Sequence, residues 1–197
     1  MGSNQSRLMD YIKCSDMITV CDLLNRKDND ADIHVDNDDL FIKSVGNDDI
    51  DMVKFFLENG VNIHTQNDFA LYISVNVNSI RMTKFLLENG IDIHTQDDKS
   101  FITACFNGYF DMVKFLLENG ADIHAQNDGP IIAASLRNHL EIVDFLIKNG
   151  ADIHAQNNCS LKWSADSGHY SVCKLLIKHG ANVDILDDET KLKLGIC

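Results

Sequence analysis

The sequence predicts an all-α repeat protein built from stacked helix pairs. Five copies of one block follow each other at a spacing of thirty residues and without insertion, over residues 31–60, 61–90, 91–120, 121–150 and 151–180. Self-similarity at a period of about 20 to 50 residues is typical of a stack of like units, none of which can bury its apolar face alone. We therefore expect function to lie on the surface of the stack.

The second half of each block predicts the longer helix of the pair. DMVKFLLENG, residues 111–120, places Met112, Val113, Phe115 and Leu116 on one broad helical face. Each block ends in a glycine that follows Asn or His, and such a glycine favours the left-handed conformation that closes a helix. These glycines are Gly60, Gly90, Gly120, Gly150 and Gly180.

The first half of each block predicts a shorter helix, for example PIIAASL at residues 130–136. It follows a pair of Asp or Asn residues such as Asn127-Asp128, whose side-chain oxygens we expect to cap the helix, with Pro130 in its first turn. A small residue recurs where the two helices of a pair would approach closely. The positions are Ser44, Ser74, Ala104, Ala134 and Ser164.

The strings ADIHAQ, SGHYSV and NHLEIVDFLIKNG resemble the ankyrin repeat, with its TPLH-type helix start, AAxxGH turn, IVxLLL helix and GADxN loop. The match covers residues 31–180, with a partial sixth start at 181–190. The resemblance implies a solenoid that binds a partner protein through its concave helix face. The IH loop and thirty-residue period are also similar to the ankyrin-repeat sets encoded by giant viruses that infect amoebae.

Two features depart from the family pattern. Ankyrin units run about 33 residues, and the three missing residues fall between Gln126 and Gly129, which predicts shortened loops. The TPLH-type start is eroded, to GPII at residues 129–132. We therefore expect helix packing, rather than that motif, to contribute more of the stability.

The two ends of the chain differ from the repeats. Residues 1–30 predict an N-terminal segment with an amphipathic capping helix at 16–27, and residues 181–197 a truncated sixth repeat or C-terminal cap, either frayed or a docking edge. The opening MGSNQS fits the N-myristoylation pattern, with Gly2 as acceptor. One acyl chain gives only marginal membrane binding. An N-terminus without this modification is the alternative.

Composition limits the partners and the compartment. The net charge of −13 disfavours nucleic acid and anionic lipid. Six cysteines without a CxxC pair indicate reduced thiols, and no signal peptide or run of eighteen apolar residues is present. We expect an intracellular, cytoplasmic monomer without a cofactor, in host cytoplasm if the protein is viral, with membrane contact only if Gly2 is acylated.

One histidine per block forms what we call the histidine ladder. Equivalent atoms of successive repeats lie roughly 8 to 10 Å apart, whereas each ligand of one zinc lies about 2 Å from the metal. The ladder therefore predicts hydrogen bonds within the loops, not a metal site. Its members are His34, His64, His94, His124 and His154.

Nothing in the sequence favours an enzyme. Phosphate-loop, GxSxG, HExxH and catalytic Cys-His signatures are missing. The acidic residues recur in kind along the loops, as expected for solvated side chains. They include Asp97, Asp98, Asp187, Asp188 and Glu189.

Positions that vary while their neighbours repeat predict the partner-binding surface. Trp is enriched among binding hot spots, so the varying first-helix positions around Trp163 are the strongest candidates. Filling of gaps between helices is the alternative explanation. We expect the partner to be another protein, and the acidic N-terminal half favours one that presents basic residues. The alternative function is a membrane-tethered or virion structural component anchored at Gly2. The predicted contact residues are Lys43, Ile73, Phe106, Leu136, Trp163 and Asp166.

Overall fold

The structure is a computed structural model that describes residues 35–196, with side chains from residue 38 onward. The predicted capping helix at 16–27, Gly2 and His34 lie outside the described residues. Within the described range all regular structure is helical, with eleven α-helices and one 3₁₀ turn and no strand. This confirms the all-α fold class.

The helices follow each other in pairs. They are α1 (Val35–Gly46), α2 (Ile50–Glu58), α3 (Thr65–Asn76), α4 (Ile80–Glu88), α5 (Thr95–Asn107), α6 (Phe110–Glu118), α7 (Ala125–Leu136), α8 (Leu140–Lys148), α9 (Ala155–Asp166), α10 (Tyr170–Lys178) and α11 (Asp188–Leu194), with the 3₁₀ turn at Val183–Ile185.

The chain divides into two compact units, Met1–Asp92 and Ile93–Cys197. In the first unit α1 contacts α2 and α3, and α3 contacts α4. In the second unit the first helices α5, α7 and α9 contact each other in order, and the second helices α6, α8 and α10 do the same. Each unit is therefore a stack of helix pairs.

The second helix of each pair buries the predicted face. In α6 the side chains of Met112, Val113 and Leu116 are fully buried. In α4 the Ser79 hydroxyl caps the helix by accepting from Met82 N at 3.1 Å. The block-ending glycines have φ between +91° and +100°, which confirms their left-handed closing role.

The predicted column of small residues is confirmed as the place where the two helices of a pair meet. All five side chains are fully buried. In the second pair Ser74 Oγ lies 2.9 Å from Thr83 Oγ1 on the facing helix. A larger side chain at this position would separate the helices.

The loops are short, as predicted, but their geometry differs from the expectation. Within the bounds of α7, Gln126, Asn127 and Asp128 all have left-handed backbones, with φ of 51°, 57° and 60°, so a kink separates the first residue of α7 from the regular helix that follows Asp128. The same turn recurs at residues 66–68, 96–98 and 156–158. The predicted capping by the Asp/Asn pairs is wrong: the pair forms this turn, and the side chain of Asp128 bonds elsewhere.

The truncated sixth repeat forms the 3₁₀ turn and α11. Asp187 begins α11 by accepting from Thr190 N at 2.6 Å, and hydrogen bonds with Thr190 lower the pKa of the Asp187 carboxyl. Leu186 and Leu194 are buried, whereas Leu192 is exposed. The C-terminal repeat thus ends in one short helix instead of a pair.

Candidate protein-binding surface

The histidine ladder is a set of local hydrogen bonds. His94 Nδ1 lies 3.0 Å from Asp98 Oδ2, and His124 Nδ1 lies 3.0 Å from Asp128 Oδ1. Because a carboxylate only accepts, Nδ1 carries the proton and donates. His64 with Asp68 and His154 with Asn158 repeat the arrangement at 2.7 and 3.0 Å. Each described ladder histidine thus bonds a side chain four residues later.

The carboxylates that accept from the ladder also join neighbouring repeats. Asp98 Oδ1 accepts from Asp122 N at 3.0 Å, and Asp128 Oδ1 accepts from Asp152 N at 2.7 Å. Asp98 is only 4% exposed. The prediction that Asp98 is a solvated loop acid is therefore wrong, because two donors hold its carboxylate in the loop interior.

Other side chains add hydrogen bonds between repeats in the second unit. Gln126 Nε2 donates to Asp97 O at 3.1 Å, and Gln156 Nε2 donates to Asn127 O at 3.0 Å. The accepting carbonyls belong to the left-handed turns. The loss of the TPLH-type start is therefore compensated by side-chain hydrogen bonds, and not by helix packing alone.

The turns inside the pairs α7–α8 and α9–α10 each hold one further hydrogen bond between repeats. His139 Nε2 donates to Phe106 O at 3.0 Å, and His169 Nε2 lies 3.1 Å from Leu136 O. Both acceptors are at the end of the first helix of the preceding repeat. These bonds fix the two residues that the sequence predicts as partner contacts, Phe106 and Leu136.

Three of the predicted contact residues lie together in the second unit. Leu136, Trp163 and Asp166, with Ser167, line a shallow cavity of about 290 Å³. Trp163 is 40% exposed, and Leu136 is half-buried. The cavity therefore has an apolar floor with a carboxylate at its rim.

Phe106 adjoins this cavity through Arg137. The Arg137 guanidinium carbon lies 4.7 Å from the centroid of the Phe106 ring, in cation–π contact. Phe106 is 39% exposed, and Arg137 directly follows Leu136. We call the five residues Phe106, Leu136, Arg137, Trp163 and Asp166 the Trp163 surface.

The two remaining predicted residues belong to the first unit. The Lys43 ammonium pairs with Asp39 at 2.6 Å. Ile73 is half-buried and packs against the hydrophobic core of that unit, which matches the gap-filling alternative. Lys43 and Ile73 are therefore not counted as members of the Trp163 surface.

Sequence reasoning missed Arg137 and Ser167. Both occupy the position directly after the varying column, where the other repeats carry Asn47, Val77 and Asn107. The signal was available, because this position varies as much as its neighbour. Polar residues at a helix end usually indicate a turn, so their variation alone does not mark a contact surface.

The second unit also contains two buried thiols. Burial raises the pKa of the Cys105 and Cys173 thiols, which keeps them protonated and poorly nucleophilic. Among the described residues, the cysteines at 105, 159 and 173 are free. Residues 35–196 contain no group of three or more His, Cys, Asp or Glu side chains placed to hold a metal. No helix in that range is long and apolar enough to cross a membrane.

Helix pairs that follow a thirty-residue repeat and stack within each unit define a helical repeat protein. A family model of ankyrin repeats (3 copies) matches residues 8–97 and 101–187, and a model of ankyrin repeats (many copies) matches residues 78–117. The chain belongs to the ankyrin-repeat family. No curated protein gives a match to the chain. Ankyrin repeats generally mediate protein–protein interaction and are typically non-catalytic scaffolds.

Proposed function

We propose that the chain is a non-catalytic protein-binding module that holds its partner on the Trp163 surface. The observation that carries the proposal is the exposure of the single tryptophan of the chain over an open cavity. A stack that needed Trp163 only for its core would bury the ring. Tryptophan and arginine, both present here, are the residue types most enriched in binding hot spots.

The exposed part of Trp163 is large enough to matter for affinity. A tryptophan side chain presents up to about 250 Å², and 40% of it is exposed. Covering about 100 Å² of apolar surface contributes about 2.5 kcal/mol at about 25 cal/mol per Å². This corresponds to a change of roughly 60-fold in the dissociation constant.

The carboxylate of Asp166 favours a basic side chain of the partner beside it, whereas the cation of the Trp163 surface, Arg137, is in contact with the Phe106 ring. Asp166 is exposed at the rim of the cavity and makes no ion pair among residues 38–196. The net charge of −13 adds long-range attraction for such a partner. An aliphatic or aromatic side chain in the cavity, with a lysine or arginine beside Asp166, fits these features best.

Affinity capture from the native cell tests the proposal. The full chain and its Trp163→Ala variant serve as baits, with Lys162→Ala as matched control because Lys162 is an exposed neighbour on the same helix outside the cavity. We expect Trp163→Ala to lose the partner while Lys162→Ala keeps it. Equal capture by all three baits would contradict the proposal.

Two further measurements make the result specific. Circular dichroism of Trp163→Ala checks that the helices remain, since loss of the helical signal would show that Trp163 is a core residue. Because Trp163 is the single tryptophan, its emission is also a direct reporter. Adding the captured partner to the unmodified chain should shift that emission to shorter wavelength as the ring leaves water.

A second proposal rests on the first six residues, MGSNQS. Acylation at Gly2 would make the protein a membrane-tethered or virion structural component. Mass spectrometry after coexpression with an N-myristoyltransferase tests this proposal, and an unmodified Gly2 would contradict it.

We further propose that the protein is an intracellular monomer, located in the host cytoplasm if it is viral. Sedimentation of the full chain would check the oligomeric state, and imaging of a tagged full chain would check the location.

A further inference from the structure

A second open groove lies on the second helices of the second unit, between α8 and α10. Its lining residues are Leu140, Glu141, Asp144, Ser171 and Leu175, and its volume is about 440 Å³. Neither Trp163 nor any other member of the Trp163 surface lines it. The groove is therefore a separate feature of the helix stack.

Two leucines, Leu140 and Leu175, form the apolar part of the groove. Leu140 is 42% exposed, whereas the residues at the equivalent position of the other repeats are half-buried. Those residues are Ile50, Ile80, Phe110 and Tyr170. Leu175 faces the groove from α10, at a position where the four preceding repeats have phenylalanine. The smaller side chain leaves room in the groove.

The charged wall of the groove reverses the pattern of the preceding repeats. The first three second-helices carry Lys followed by Glu four residues later, as in Lys84–Glu88 at 3.8 Å and Lys114–Glu118 at 3.9 Å. In α8 the order is Asp144 followed by Lys148, at 2.5 Å. An acid four residues before a lysine stabilises a helix somewhat more than the reverse order does, so the reversal favours α8 itself and also places a carboxylate, that of Asp144, in the lining of the groove.

We propose that this groove binds a short segment of a second protein in which an aliphatic side chain is flanked by lysine or arginine. Leu140 and Leu175 would contact the aliphatic group. Glu141, which makes no ion pair among the described residues, would accept the basic side chain, and Asp144, shared with Lys148, would add to it. The acidic wall repels phosphate groups, which disfavours nucleic acid and anionic membrane as occupants.

Fluorescence anisotropy with three labelled peptides tests the inference. One probe has a leucine between two lysines, one has a leucine between two glutamates, and one has an alanine between two lysines. We expect the full chain to bind the first at least about fivefold more tightly than either other peptide. Equal binding of all three, or no binding of the first up to about 1 mM, would overturn the proposal.

Charge reversal in the groove distinguishes local contact from the general field of an acidic protein. Glu141→Lys should weaken binding of the lysine–leucine–lysine peptide by about fivefold, because an exposed attraction becomes a repulsion. Asp111→Lys makes the same change of charge at the equivalent position of α6, outside the groove. An equal loss in both variants would overturn the groove as the site.

The test also separates this groove from the Trp163 surface. Trp163→Ala should bind the peptide as the unmodified chain does, and amide shifts in an NMR titration should cluster in α8 and α10. Shifts confined to the residues around Trp163 would contradict the inference while leaving the first proposal intact. Circular dichroism of Glu141→Lys and Asp111→Lys confirms that both variants are folded.

Discussion

Replacement of Asp128 by alanine tests whether the stability of the left-handed turn depends on the Asp128 carboxylate, which accepts a hydrogen bond from the histidine ladder. Asp128 is 6% exposed, and its Oδ1 accepts from both His124 Nδ1 and Asp152 N. Its backbone φ is +60°. Alanine removes the acceptor from both donors, one of them in the next repeat, and must also adopt this conformation without a polar side chain.

The expected cost follows from these contacts. The bond from Asp152 N, at 2.7 Å, is made to a charged acceptor in a partly buried site and contributes about 1 to 2 kcal/mol. The His124 ring is half exposed, so water replaces most of its lost bond. Left-handed backbone costs alanine about 1 kcal/mol. We expect Asp128→Ala to lower the free energy of unfolding by about 2 to 3 kcal/mol.

Urea denaturation followed by circular dichroism measures this loss, and the chain supplies its own control. Asn158 uses one oxygen to accept from both His154 Nδ1 and Asn182 N. Asp128→Asn should therefore cost less than about 1 kcal/mol. The reasoning is refuted if the alanine and asparagine variants lose equal stability, or if the alanine variant stays within about 0.5 kcal/mol of the unmodified chain.

The close packing around Gly108 and the burial of two cysteines can be tested as well. A Cβ at Gly108 would clash with the His139 ring, whereas one at Gly168, with a similar positive φ, would meet nothing within 4 Å. Thermal unfolding should therefore show a larger loss of stability for Gly108→Ala than for Gly168→Ala. Burial and raised thiol pKa should protect Cys105 and Cys173 from iodoacetamide at about pH 7.5. Peptide mass spectrometry would contradict this by finding either one alkylated in the folded chain.

The sequence predicted the parts of the fold that depend on periodicity and small residues. The thirty-residue spacing, the buried face of α6 and the left-handed glycines all have a direct cause in residue type, so they could be predicted without coordinates. The proximity of Leu136 and Asp166 could be predicted in the same way, because residues at one register position of neighbouring repeats lie next to each other.

The turn geometry could not be predicted in the same way. An Asp or Asn before an apolar segment is as compatible with an N-cap as with left-handed backbone, and local sequence does not distinguish the two. The partner that decides between them is Asp152 N, which lies 24 residues away in the next repeat. Asp98 was misjudged for this reason, since its burial depends on a contact that only the folded stack provides.

The shortened turns also bear on where a partner can bind. A turn of three left-handed residues replaces the longer loop of the family pattern, and its side chains and carbonyls are already engaged, as in Asp128 and the carbonyl of Asn127. Fewer groups are left there for a partner than a longer loop would offer. The helices offer more to a partner, since exposed apolar side chains such as those of Trp163 and Leu140 line cavities there. This is why we place both proposed contacts on helix surfaces.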